Sequence, residues 1–131
     1  MHTKKSVTQL SYEITGYAIK VHKALWPRLL ESVYEKRLKY ELEKNNYKVV
    51  QQMVVPVVYD NLEMDVDLRL DLLVNGCIVV ALKAIENILR VQEVQVFTYM
   101  KLLKKPQGLL INFFTDNITK SLKLFVNDFF R

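Results

Sequence analysis

The sequence predicts an α/β protein, a mixed β-sheet with α-helices packed against it. Three observations carry that expectation. Near the N-terminus, apolar residues recur at helical spacing in two successive stretches. In the middle, residues 62–71 alternate strictly between apolar and charged, as a strand with one dry and one wet face does. Beyond them, two short runs rich in Val, Ile and Leu flank a further helical stretch. The order reads α-α-β-β-β-α-β, followed by a tail.

Leu10, Ile14, Ala18, Val21 and Leu25 recur every three or four residues, so Gln9 to Leu25 reads as a helix, with Thr8 as candidate N-cap. Trp26-Pro27 ends it, because the residue before a proline avoids helical angles. Leu30, Val33, Tyr34, Leu38 and Leu42 place a second helix from about Leu29 to Lys44, closed by Asn45-Asn46. Tyr47 to Tyr59 is Val-rich and β-like, with Pro56 marking an edge or a bulge. Asp60-Asn61 is a turn, and the alternating strand follows from Leu62. Asn75-Gly76 is a two-residue hairpin signal. Cys77 to Ile85 is apolar on both faces around Ile78-Val79-Val80, which points to a central strand. Val91 to Lys104 is helical and apolar nearly all round, so burial on most sides is expected. Pro106-Gln107-Gly108 ends that helix and Leu109 to Phe114 forms another buried strand. The tail from Thr119 to Phe130 fits either a strand or a closing turn.

A chain of 131 residues and 15.4 kDa fits one domain, taken as 1–131. It is 50% hydrophobic and 25% charged with only three Gly and three Pro, which excludes disordered, collagen-like and low-complexity classes. No apolar run nears the roughly 18 residues of a membrane span. No apolar segment follows the charged stretch Met1 to Ser6, so no secretory leader is expected and the cytoplasm is the expected location. Cys77 is the only cysteine, which excludes an intrachain disulfide, a CxxC pair and a cysteine-based zinc site. Nineteen basic residues against 14 acidic give a formal +5, which raises nucleic acid as a partner.

Four features put polar chemistry where packing alone favours apolar residues. Glu31 falls between Leu38 and Leu42 on the second helix's wheel, and a buried carboxylate needs a partner or a metal. The plainer reading is a solvated first-turn glutamate favoured by the helix dipole. Arg37 and Glu41 share that arc. Asp71 is the last acid of the alternating strand, on a face that Glu63, Asp65 and Asp67 would otherwise keep in water. Lys83 interrupts the apolar run Val79-Val80-Ala81-Leu82-Lys83-Ala84, where desolvation disfavours its charge. Gln95 and Tyr99 stand one turn apart on the next helix and project together.

An acid on an early helix, an aspartate ending one strand, a lysine on its hairpin partner and Gln-x-x-x-Tyr on the next helix resemble the PD-(D/E)XK nuclease superfamily. More narrowly, "VHKAL", "LLESVYEKRLKYELEKNNYKV", "LRLDLLVNGCIVVALKAI", "QEVQVFTYMKLL" and "GLLINF" are similar to the bacterial GxxExxY family, over about residues 9 to 115. The resemblance implies a restriction-endonuclease-like fold and Mg²⁺- or Mn²⁺-dependent phosphodiester hydrolysis on DNA. It implies that Asp71, Glu31 and the backbone carbonyl of Leu82 hold the metal. Lys83 would orient or activate water, with Gln95 and Tyr99 supporting the site. Magnesium's preference for oxygen ligands suits that set.

The chain departs from the family's pattern at three places. Ala81 stands where the family's Glu-x-Lys motif has its metal-ligating glutamate, so position 81 is the missing ligand. Arg28 stands in place of the signature glycine, and Gln92 in place of a histidine. Asp67 lies about 13 Å from Asp71 along a strand and does not substitute. Glu86 falls on the opposite face to Lys83 if the strand continues. Either an inactivating replacement in a nuclease or natural drift that keeps the fold for binding accounts for Ala81. Two functions therefore stand: a nuclease impaired at position 81, or a non-catalytic module that binds nucleic acid or protein. A homodimer is expected, since a small domain gains from a second copy when spanning a duplex. The remaining singular residues have structural readings: His22 satisfied or at the surface, Cys77 packed, and most phenylalanines in the core.

Overall fold

The computed structural model describes residues 4–25, 28–64 and 68–127. Two helices come first, α1 (Lys4–Ala24) and α2 (Glu31–Lys44). Strands β1 (Val49–Val54), β2 (Val57–Tyr59), β3 (Leu62–Met64), β4 (Arg69–Val74) and β5 (Ile78–Lys83) follow. Helix α3 (Arg90–Leu103), strand β6 (Gln107–Asn112), the short helix α4 (Ile118–Ser121) and strand β7 (Lys123–Val126) complete the chain. A five-stranded mixed sheet runs β1-β4-β5-β6-β7, while β2 and β3 form a separate two-stranded hairpin. Among the described residues only β5 and β6 pair in parallel, joined through α3. The fold is restriction-endonuclease-like.

Alternation along the buried strands divides the core in two. Leu72, Val74, Ile78, Val80, Leu82, Leu109 and Ile111 pack with Ile14, Ala18 and Val21 of α1 and Tyr34, Leu38 and Leu42 of α2. Leu73, Val79, Ala81 and Leu110 turn the other way, toward Val96, Tyr99 and Met100 of α3. Side chains that alternate by two on a strand serve both layers, which explains why β5 needed apolar residues on both faces. Helix α3 sits tight against β6 at Gly108, where an added Cβ would come within 2.8 Å of Met100 Sδ and of Val96 Cγ1. Gly108→Ala is therefore expected to cost about 1–2 kcal/mol through overpacking. A fall in the urea midpoint at unchanged m-value would show it.

Several expectations change. The alternating stretch is not one strand: Leu62 and Met64 lie on the β2–β3 hairpin and are exposed, and the sheet strand begins only at Arg69. Pro56 separates β1 from β2, and Asp65 to Asp67 lie outside the described residues, as do Trp26-Pro27, Phe129 and Phe130. Helix α1 starts at Lys4, so Thr8 is not its cap. Helix α3 buries one side alone, with Val91, Val94 and Leu102 exposed, because a single sheet face covers it. Strand β6 starts at Gln107, so Gln107-Gly108 belongs to the strand, and the tail supplies both α4 and the edge strand β7. Glu41 is buried and bound by Lys20 at 3.0 Å and Arg37 at 3.1 Å, an ion cluster that ties α1 to α2. The hairpin signals hold. Asn75 and Gly76, and Asp60 and Asn61, all take left-handed angles, and the Cys77 N–H closes the first turn on the Val74 carbonyl. Among the described residues no helix is long and apolar enough to cross a membrane.

Candidate active site

The site is a fork between strands. The β4–β5 ladder runs from Val74 opposite Ile78 to Leu72 opposite Val80. Beyond that point β4 stays with β1, and β5 stays with β6 through Ala81, Leu82 and Lys83. Asp71 is the first residue past the split on β4, and on the ladder's register Ala81 is its counterpart. The Leu82 N–H, left without a strand partner on that side, donates to Asp71 Oδ2 at 2.8 Å. Lys83 turns its carbonyl the other way, accepting from Phe113 N–H at 2.8 Å.

Helix α2 brings two carboxylates to the fork. Glu31 is its first residue, half-buried where the helix dipole favours an anion. Glu35, one turn later, is 6% exposed and held by two amides: Gln51 Nε2 donates to Oε2 at 2.6 Å and Gln52 Nε2 to Oε1 at 2.8 Å. Neighbours on a strand point to opposite faces, so both reach one carboxylate only because Gln52 takes a left-handed φ of 52°. The same Gln52 amide lies 3.3 Å from Asp71 Oδ1 and so bridges the two acids.

The charges at the fork act on one another. Burial pushes the Asp71 carboxyl up to about 6, against the pull of the Leu82 N–H; Glu35 and Glu31 add to the rise and Lys83 opposes it. Glu31 is also raised, first by burial, with Lys83 opposing and Glu35 reinforcing. Glu31, Asp71 and Lys83 thus lie near enough for their charges to act on one another.

The α3 residues have different places. Tyr99 is buried in the cluster that contains Ala81, and its hydroxyl donates to the Arg69 carbonyl at 2.9 Å, pinning the start of β4 just ahead of Asp71. Gln95 is half-buried one turn earlier, and among the described residues its amide makes no hydrogen bond to the acids. Glu35, Gln51 and Gln52 were missed by sequence reading. Glu35 carried a signal, since it lies one helical turn from Glu31 on the same face. The two glutamines stood out as a polar pair in a Val-rich strand.

A lysine beside carboxylates at the fork of a strand pair, in a mixed sheet between helices, defines a nuclease-fold protein. The chain belongs to the PD-(D/E)XK nuclease superfamily, whose family model matches residues 8–124. No curated protein and no solved structure matches the chain.

That membership implies a divalent ion. Asp71, Glu31 and the Leu82 carbonyl are hard oxygen donors of the right kind for Mg²⁺ or Mn²⁺. They do not complete a site. Both Asp71 oxygens already accept hydrogen bonds, Ala81 offers no donor, and among the described residues no three His, Cys, Asp or Glu side chains stand where they could hold an ion together.

Proposed function

We propose that the chain is a DNA-binding protein on a nuclease fold whose phosphodiester-hydrolysing centre lacks one ligand. The fork supports this reading: the charges of Asp71, Glu31 and Lys83 act on one another there, while the counterpart of Asp71 is Ala81. The motif order from Glu31 to Tyr99 supports the narrower likeness to the GxxExxY family. On this reading residues 1–131 form a single cytoplasmic domain that spans a duplex as a dimer. A Mg²⁺ or Mn²⁺ ion would supply phosphoryl polarisation and an acidified water once position 81 carried an acid. Asp71, Glu31 and the Leu82 carbonyl would be its other ligands.

The chain's own residues have definite tasks. The Leu82 N–H and the Gln52 amide fix the Asp71 carboxylate, and Tyr99 steadies the strand that carries it. Lys83, which makes no ion pair within 4.0 Å among the described residues, offers its ammonium to a phosphate or a water. On this reading Gln95, half-buried one turn before Tyr99 on α3, supports the site from that helix.

Binding is tested by titrating labelled duplex DNA at several salt concentrations. Affinity should fall linearly on a log–log plot against salt, and Lys83→Ala should lower the slope by about 1 for one lost phosphate contact. Salt-independent binding, or none, removes the DNA-binding half. Hydrolysis is tested by restoring a glutamate at position 81. One observation favours the purely binding alternative: the Gln52 amide already bridges Asp71 and Glu35. On that alternative a restored acid yields neither metal binding nor cleavage.

A further inference from the structure

A cavity of about 280 Å³ is lined by Arg28, Glu86, Phe114, Thr115 and Asp116. None of these belongs to the fork, yet each is chained to it. Arg28 precedes Glu31 by three residues and Glu86 follows Lys83 by three. Phe114 to Asp116 continue past Asn112, the β6 residue paired with Lys83. Buried Asn112 fixes both loops: its Oδ1 accepts from the Ile85 N–H at 3.2 Å and the Phe114 N–H at 3.1 Å, and its Nδ2 donates to the Ile85 carbonyl at 2.8 Å. His22 Nε2 donates to the Thr115 carbonyl at 2.6 Å and holds the far rim.

The lining selects its ligand. Two carboxylates against one guanidinium leave it net negative, which repels a phosphate. Phe114 supplies a flat apolar ring, and the Arg28 guanidinium stands over it at 5.4 Å. Planar surfaces of these two kinds are the ones on which unpaired bases stack. Carboxylates only accept, so the ligand must present N–H or O–H donors. The planar ring and guanidinium beside them favour a flat group whose donors are N–H. A neutral, planar, N–H-bearing group attached to a phosphodiester strand is a nucleobase. The volume sits at the small end for ligand pockets, room for one base. Guanine matches best, with neighbouring N–H donors on one edge for a carboxylate and O6 and N7 acceptors on another for an arginine.

We propose that this cavity receives one unstacked nucleobase, guanine in preference, from a strand whose phosphate lies against Lys83. The inference rests on the DNA-binding reading and adds a base-selective subsite to it. The wall is this chain's own, because Arg28 replaces the glycine of the family it resembles.

The test is fluorescence anisotropy with a labelled oligothymidine strand and the same strand carrying one internal guanine. The guanine strand should bind about tenfold more tightly. Glu86→Gln combined with Asp116→Asn, both at exposed positions, should abolish that preference without weakening the oligothymidine complex. Phe114→Ala should weaken both single strands by about tenfold and leave duplex binding unchanged. Equal affinity of the parent chain for the two strands, or a preference that survives the double substitution, overturns the subsite. Failure of every strand and duplex to bind overturns the DNA-binding reading beneath it.

Discussion

Ala81→Glu is expected to give the chain a Mg²⁺- or Mn²⁺-dependent nuclease activity at least about 100-fold above that of the parent, the scale on which one electrostatic group at a reaction centre counts. Position 81 is the counterpart of Asp71 past the end of the ladder, and residues 81 and 83 share a face of β5. A glutamate there would place its carboxylate between Asp71 and Lys83 and supply the oxygen that the present donor set lacks. The cost is local, because Ala81 is 4% exposed and packs with Val79, Val96 and Tyr99. Ala81→Gln has the same size without the charge and separates crowding from chemistry. It should fold as the Glu variant does, bind Mn²⁺ no better than the parent and cut nothing. Lys83→Ala on the Glu background should return cleavage to the parent's level, which also excludes a contaminating nuclease. A folded Glu variant that binds no Mn²⁺ and leaves single-stranded, duplex and branched DNA intact would show that the fork is not a nuclease centre.

The parts of the fold legible in the sequence are those in which one physical rule dominates. Asn-Gly turn chemistry and an apolar run on both faces located the β4–β5 hairpin and the central β5 without tertiary information, while period-two alternation reached β4 only over Arg69 to Asp71. Leu62 and Met64 misled because alternation reports a strand with two different faces and does not say which sheet the strand joins. Helix α3 misled because apolar residues such as Val91 and Val94 can remain exposed at no large cost, whereas a buried polar group cannot. The site shows the same asymmetry. Lys83 and Glu31 were visible as polar residues in apolar company, and Asp71 as the acid that ends the alternating stretch ahead of the hairpin turn. Gln52 was not, because its role depends on a left-handed backbone angle that glutamine does not advertise. Its contact with Asp71 is also non-local, set by the pairing of β1 with β4. Arg28 and Phe114 are distant in sequence, and their joint wall exists only once the loops after α1 and β6 meet.

Asp71→Asn is expected to stabilise the fold by roughly 2–3 kcal/mol at pH 8 and by nothing measurable near pH 3, because the native state suppresses the ionisation of Asp71. Its carboxyl sits at about 6 when folded against 3.8 as a free side chain. Between those values the folded chain keeps a proton that the unfolded chain has lost. Stability therefore falls as pH rises through that window, and the whole contribution is lost above it. Asparagine removes the charge that burial, Glu35 and Glu31 oppose, while its side-chain oxygen still accepts from the Leu82 N–H. Glu13 and Glu41, both held below the ordinary carboxylate range, stabilise the fold as pH rises. The quantity to read is therefore the difference between variant and parent in urea midpoints across pH. A difference that grows from pH 4 to pH 7 and then levels identifies the fork as a place where charge is kept at the expense of stability. That is the pattern of a site shaped for chemistry, since packing alone would have replaced such an aspartate. A difference that is flat with pH, or an Asn variant less stable than the parent at pH 8, would mean that Asp71 serves the fold by bonding Leu82 and has no claim to a reaction.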